Sequence, residues 1–220
     1  MTATITKEQE QAIRDFLVGM DIPAGLGDEK SACSIAAINL ALTGELTDAI
    51  PRCMSPVIGQ WIIGVQDAMP HAVRNSDEWR GLLPLAAGTG RDHEKVRRDI
   101  VLDWMWGTVL PQLQPIADTH GFGSAWQQMT ELRTAEAARE ARRLAAAADY
   151  AAADADADAA AAAAAYADAA AAAADAAAAA ADARAAAYAA TRAADYAARN
   201  EFWQATNPCG LLHRLIEAGE

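Results

Sequence analysis

The chain reads as all-α, a multi-helix bundle with a tightly packed alanine-rich helical array in its C-terminal third. Three observations predict this. Apolar residues recur at helical spacing as far as residue 130. Helix caps, rather than strand alternation, punctuate that stretch. From Ala135 to Ala198 two residues in three are alanine, the best helix former.

The elements follow in order. Thr6 with Gln9 forms a capping box, and Ile13, Phe16, Leu17 and Met20 continue a first helix over about 6–20. Ser31 is the expected cap of a second, in which Ile35, Ile38 and Leu42 share a stripe and Gly44 supplies the left-handed stop. Ser55-Pro56 opens a third, because proline in the first turn loses no hydrogen bond; Ile58, Trp61, Ile62 and Val65 line one face, and Pro70 ends it. Ser76 caps a fourth through Trp79, Leu82 and Leu83, with Pro84 and then Gly88-Thr89-Gly90 expected to break it. Asp92 starts a longer helix toward Pro111, with Val96, Ile100 and Trp104 on its expected buried side. Asn207-Pro208 opens the last, burying Leu211, Leu212, Leu215 and Ile216.

No glycine or proline stands between Gly123 and Pro208. A single rod across that span would be about 126 Å long, against a diameter of roughly 45 Å for a compact chain of this size. Two to four packed helices are therefore expected, broken at Asp154, Asp156 and Asp158 and again near Asp175 or Asp182. The composition divides the chain into a tryptophan-containing helical domain (1–130), the alanine-rich array (131–206) and a C-terminal helix (207–220) that packs back on the core, all in one compact unit.

Thirty acidic against 18 basic residues give a formal charge of -12. That field opposes nucleic-acid backbones and anionic membranes, so neither is an expected partner. Asp168, Asp175 and Asp182 interrupt the alanine run, and each would cost roughly 2.5 to 3.5 kcal/mol at bilayer depth. The N-terminus lacks the apolar stretch of a signal peptide, and Cys33, Cys53 and Cys209 have no paired spacing. The expected setting is the cytoplasm, with free thiols and no metal. His71, His93, His120 and His213 are scattered, and no nucleophile, metal or cofactor motif appears, so no catalytic residue and no cofactor is expected. An ice-binding helix is excluded because Thr191 is the lone threonine of the alanine run.

Two patterns bear on binding. Arg184, Tyr188, Arg192 and Tyr196 sit at successive i, i+4 positions of one helix face. Guanidinium and phenol groups alternating there suit a phosphate- and base-containing small molecule; equally, they suit a face that covers the amino-terminal domain. Gly88-Thr89-Gly90-Arg91 at a helix entrance offers backbone N–H groups to an anion, with Thr89 and Arg91 the residues that would touch it, or is simply a turn.

Cys33 to Gly44, Cys53-Met54-Ser55, Ile58 to Ile63, Leu85 to Arg91, Leu102 to Trp106 and Asn207-Pro208-Cys209-Gly210-Leu211-Leu212 resemble a group of alanine-rich proteins encoded by bacteria and their phages. That resemblance carries over no catalytic residues; it implies a small accessory protein of phage or mobile-element type in a bacterial host, for which interference with defence is a common role. The leading expectation is a non-catalytic protein that sequesters a small anionic, nucleotide-derived ligand. The rivals are an acidic protein–protein inhibitor of immunity type, and an enzyme that degrades a nucleotide signal. A homo-oligomer is compatible with all three.

Overall fold

A computed structural model describes residues 5–151 and 199–219. Among them every regular element is a helix, and none is long and apolar enough to cross a membrane. The expected breaks at Asp154, Asp156, Asp158, Asp175 and Asp182, and the packing of the alanine array, lie outside the described residues. The chain divides into two compact units, residues 1–100 with 207–220, and residues 101–206.

In the first unit, α1 (Lys7–Leu17) is capped as the sequence requires: Thr6 accepts from the Gln9 N–H while the Gln9 side chain accepts from the Thr6 N–H. Its buried stripe, Ile13 and Leu17, packs α1 on α2 (Ser34–Thr43) and α5 (Asp77–Ala87). The cap of α2 is Cys33, whose Sγ accepts from the Ala36 N–H at 3.4 Å; it is not Ser31. Ser31 is instead engaged in a loop, where its N–H and that of Lys30 donate to Asp28 Oδ1. Gly44 takes the predicted left-handed stop at φ 75°.

Ser55 caps α3 (Pro56–Gln66) by accepting from the Ile58 N–H. A four-residue helix, α4 (His71–Arg74), precedes α5 (Asp77–Ala87), which Ser76 caps. Pro84 does not end α5 but lies within it. It sits in the closing turns, so only one hydrogen bond is forfeited, and its ring is buried in the core. Trp61 and Trp79, both fully buried, meet at 6.1 Å between ring centroids, and the Trp79 indole N–H donates to Ser34 Oγ. Each large apolar side chain so buried contributes roughly 1.5 to 3 kcal/mol.

The first turns of α6 (Glu94–Trp104) correct a second expectation. Val96 is 48% exposed, and the inward position belongs to Arg97, with no exposed surface at all. The buried side is Arg97, Val101 and Trp104, one residue on from the expected stripe at its start. The C-terminal helix Pro208–Glu217, capped by Asn207 accepting from the Gly210 N–H, packs on α5 through Leu211, Leu212 and Leu215. Ile216 is only half-buried.

α6 runs into a π-helical turn (Met105–Val109) and a 3-10 turn (Leu110–Leu113), so helical backbone continues past Pro111. Then come α7 (Gln114–Thr119), α8 (Gly123–Leu132), α9 (Ala135–Ala151) and α10 (Arg199–Thr206). The Trp126 indole donates to the Leu110 carbonyl and that of Trp104 to the Thr206 carbonyl, which satisfies both buried N–H groups. The first break in the glycine-free stretch is at Arg133, left-handed at φ 53°, followed by Thr134, which accepts from the Ala137 N–H to start α9. Ala138, Ala141 and Ala145 form the buried stripe of α9, which packs on α8.

Candidate functional site

The turn singled out from the sequence lies in the first unit, between α5 and α6. Its N–H groups donate within the chain: Gly88 to the Leu85 carbonyl, Thr89 to Ala86 and Gly90 to Cys53. The Thr89 hydroxyl is engaged twice, donating to the Ala86 carbonyl at 2.8 Å and accepting from the Ser55 N–H at 3.1 Å, so it couples the end of α5 to the start of α3. Arg91 is exposed, close enough to Cys53 to act on its thiol. Arg184, Tyr188, Arg192 and Tyr196 lie outside the described residues, so Thr89 and Arg91 are described without them.

The carbonyls of that turn face inward, and what they face is Arg97. Its Nη2 donates to the Thr89 carbonyl at 3.0 Å, its Nη1 to those of Asp92 at 2.7 Å and Gly90 at 3.4 Å, and its Nε to Leu215 at 3.0 Å. Glu94 is the one carboxylate partner in this set, at 3.1 Å. A buried guanidinium is tolerated only with its donors so occupied. The sequence analysis did not single out Arg97, which stands beside Arg98 with Glu94 one turn before it.

Above this floor lies a groove of about 370 Å³ with apolar walls from Ile5, Leu85 and Ile216 and a polar rim of Glu10, Asp92 and His93. His93 adopts φ 64°, a left-handed conformation unusual for a side-chain-bearing residue. Glu10 is paired with Arg14 at 2.6 Å. The rim is therefore acidic to neutral, and its one buried cation is already surrounded by acceptors.

A second slot, of about 180 Å³, opens where the loop of residues 25–33 meets α2 and α3. Leu26, Ile35 and Ile63 give it apolar walls, Cys33 and Gln66 close the inside, and Asp48 and Asp67 supply two carboxylates. The fold positions both acids. Asn39 Nδ2 donates to the carbonyls of Thr47 and Ala49, each at 2.8 Å, which fixes the backbone on either side of Asp48. Asp67 Oδ1 accepts from the Gly25 N–H at 2.7 Å. Gly27, at φ 77°, must be glycine, since a Cβ there would fall 1.8 Å from the Ser31 carbonyl oxygen. Sequence reading missed this slot because Asp48 and Asp67 stand far apart in the chain, each looking like an ordinary surface acid.

The cysteines are free. Burial pushes the Cys33 thiol up, and the negative charges of Asp48 and Asp67 add to that against opposing backbone hydrogen bonds. Burial also raises Cys53, while Arg91 works the other way. Cys209 is pushed up to about 11 by burial and the nearby Glu78. Such thiols are poor nucleophiles at neutral pH. Among the described residues no group of three histidine, cysteine or carboxylate side chains is placed to hold a metal ion. No protein-family model, curated protein or solved structure matches the chain.

Proposed function

We propose that this protein is a non-catalytic binding protein whose acidic helical surface engages a basic partner protein, in the manner of an inhibitor or immunity protein. The observation that carries this reading is the inward direction of three of its arginines. In the first unit Arg74 donates to the Ile22 and Met69 carbonyls, Arg80 to Met20, and Arg97 to four carbonyls. Three of the eleven basic residues of that unit are thus turned to backbone, while Glu8, Asp28, Glu29, Glu45, Asp48, Asp77 and Glu78 face solvent. Arg97, fully buried, is thereby withdrawn from the surface of a chain of net charge -12. Complementary charge steers association and selects partners.

Capture of a lightly salted bacterial lysate on the immobilised full chain tests it. One stoichiometric basic protein should be retained and should elute steeply with salt; retention indifferent to salt contradicts the reading.

The alternative, capture of a nucleotide-derived signal of a host's defence, is favoured by the Arg184, Tyr188, Arg192 and Tyr196 stripe of the sequence. It would draw little from the Gly88 to Arg91 turn, whose N–H groups are already bonded at Gly88, Thr89 and Gly90. That reading requires ADP-ribose or a cyclic dinucleotide to raise the melting temperature and to be recovered intact from the heated complex.

A further inference from the structure

We infer that the slot between the 25–33 loop, α2 and α3 is a socket for a single lysine side chain of a partner protein. The inference rests on the proposed basic partner and names where it is gripped. Three features of the slot point to that occupant. Its walls are aliphatic, from Leu26, Ile35 and Ile63, which suits the four-carbon stem of lysine. Its two carboxylates come from different elements, Asp48 after α2 and Asp67 at the end of α3, rather than from one planar pair. Separate acceptors favour a compact ammonium with three rotatable donors over the rigid fork of a guanidinium. Its size, about 180 Å³, admits one side chain and not a nucleotide.

The socket is also preformed. Asn39 holds the chain on both sides of Asp48, Asp67 is anchored on Gly25, and the Cys33 N–H closes the loop on the Leu26 carbonyl at 3.0 Å. Asp67 is engaged by Gly25, and Asp48 and Asp67 are both exposed residues of the lining. Leu26, 43% exposed, stands at the mouth, where an incoming stem would cover it. Preorganisation of this kind lowers the cost of binding.

The test is a titration of the isotope-labelled full chain, followed by amide chemical shifts at low salt, with the blocked peptide acetyl-Gly-Lys-Gly-amide. Matched peptides carrying Nε-acetyl-lysine or norleucine, and n-butylammonium as a free amine, form the other arms. The lysine peptide should shift Gly25, Leu26, Asp48 and Asp67 saturably, and neither matched peptide should. Asp48→Asn should weaken it about fivefold, the loss of one charge–charge contact. Leu26→Lys, which supplies an ammonium from within, should abolish it. Both variants should melt like the parent, because each side chain is exposed. Equal response to acetyl-lysine, or no effect of Asp48→Asn, overturns the socket. Tighter binding of n-butylammonium than of the peptide overturns the partner-protein occupant. Lysine-dependent, salt-sensitive shifts at other acidic positions overturn the socket and leave the acidic-surface reading standing; the absence of any response to lysine counts against both.

Discussion

Arg97 is the residue on which the first unit turns. Its guanidinium joins the turn after α5, the start of α6 and the Leu215 carbonyl of the C-terminal helix. Replacing it with methionine keeps the stem but strands four carbonyls and the Glu94 carboxylate. Arg97→Met is therefore expected to destabilise the protein by about 3 to 5 kcal/mol, read as a lower urea midpoint. A loss below about 1 kcal/mol would show that those carbonyls find water instead. The thiols give a pH dependence whose sign is fixed. Cys209 titrates in the folded chain at about 11, above its ordinary value of 9.0. The folded state thus holds that proton where the unfolded state has released it. Its contribution to stability is full below pH 9 and is lost as pH rises toward 11. Denaturant midpoints measured across that interval should fall, and Cys209→Ala should flatten the slope; an unchanged slope in the variant would reassign it to other groups.

At the scale of elements, caps were the most legible part of the sequence. Thr6 with Gln9, Ser55-Pro56, Ser76, Gly44 and Asn207-Pro208 all do what their chemistry predicts. The failures have physical causes. Pro84 was read as a break because proline forfeits a hydrogen bond, yet near a helix end that loss is small against burial of its ring. Val96 was placed inside because apolar periodicity cannot foresee that a turn of carbonyls will draw an arginine inward. The break at Arg133 went unseen because no glycine marks it, although Thr134 was a cap in plain sight. Removing that cap by Thr134→Ala should cost about 1 kcal/mol in thermal unfolding, with the helix signal of α9 falling first. The 25–33 loop makes a sharper demand. Gly27→Ala sets a Cβ against the Ser31 carbonyl and is expected to destabilise the protein by about 1 to 3 kcal/mol. Indistinguishable melting curves would mean that the loop relaxes freely, and the slot it frames would not be preformed.

Over the whole chain, composition spoke for helix and for charge, and the described residues agree with the first at every regular element. Charge was legible as a sum but not as a distribution. Nothing in the sequence says that Arg74, Arg80 and Arg97 turn to backbone carbonyls, because that depends on loops closing over them. The acidic slot was hidden for a related reason: Asp48 and Asp67 converge only through the packing of α2 on α3. Of the residues expected to bind an anion, Thr89 proves to be a bonded connector between α3 and α5, and Arg91 an exposed neighbour of Cys53. The bonded N–H groups of that turn and the acidic slot are what support the proposed cationic partner. Its most direct test is the melting temperature of the full chain with a lysine-rich peptide, with ADP-ribose and with cyclic dinucleotides, each at low and high salt. The account predicts a rise with the peptide alone, saturating at one equivalent and disappearing at high salt. A rise with the nucleotides that survives salt, and none with the peptide, would contradict it.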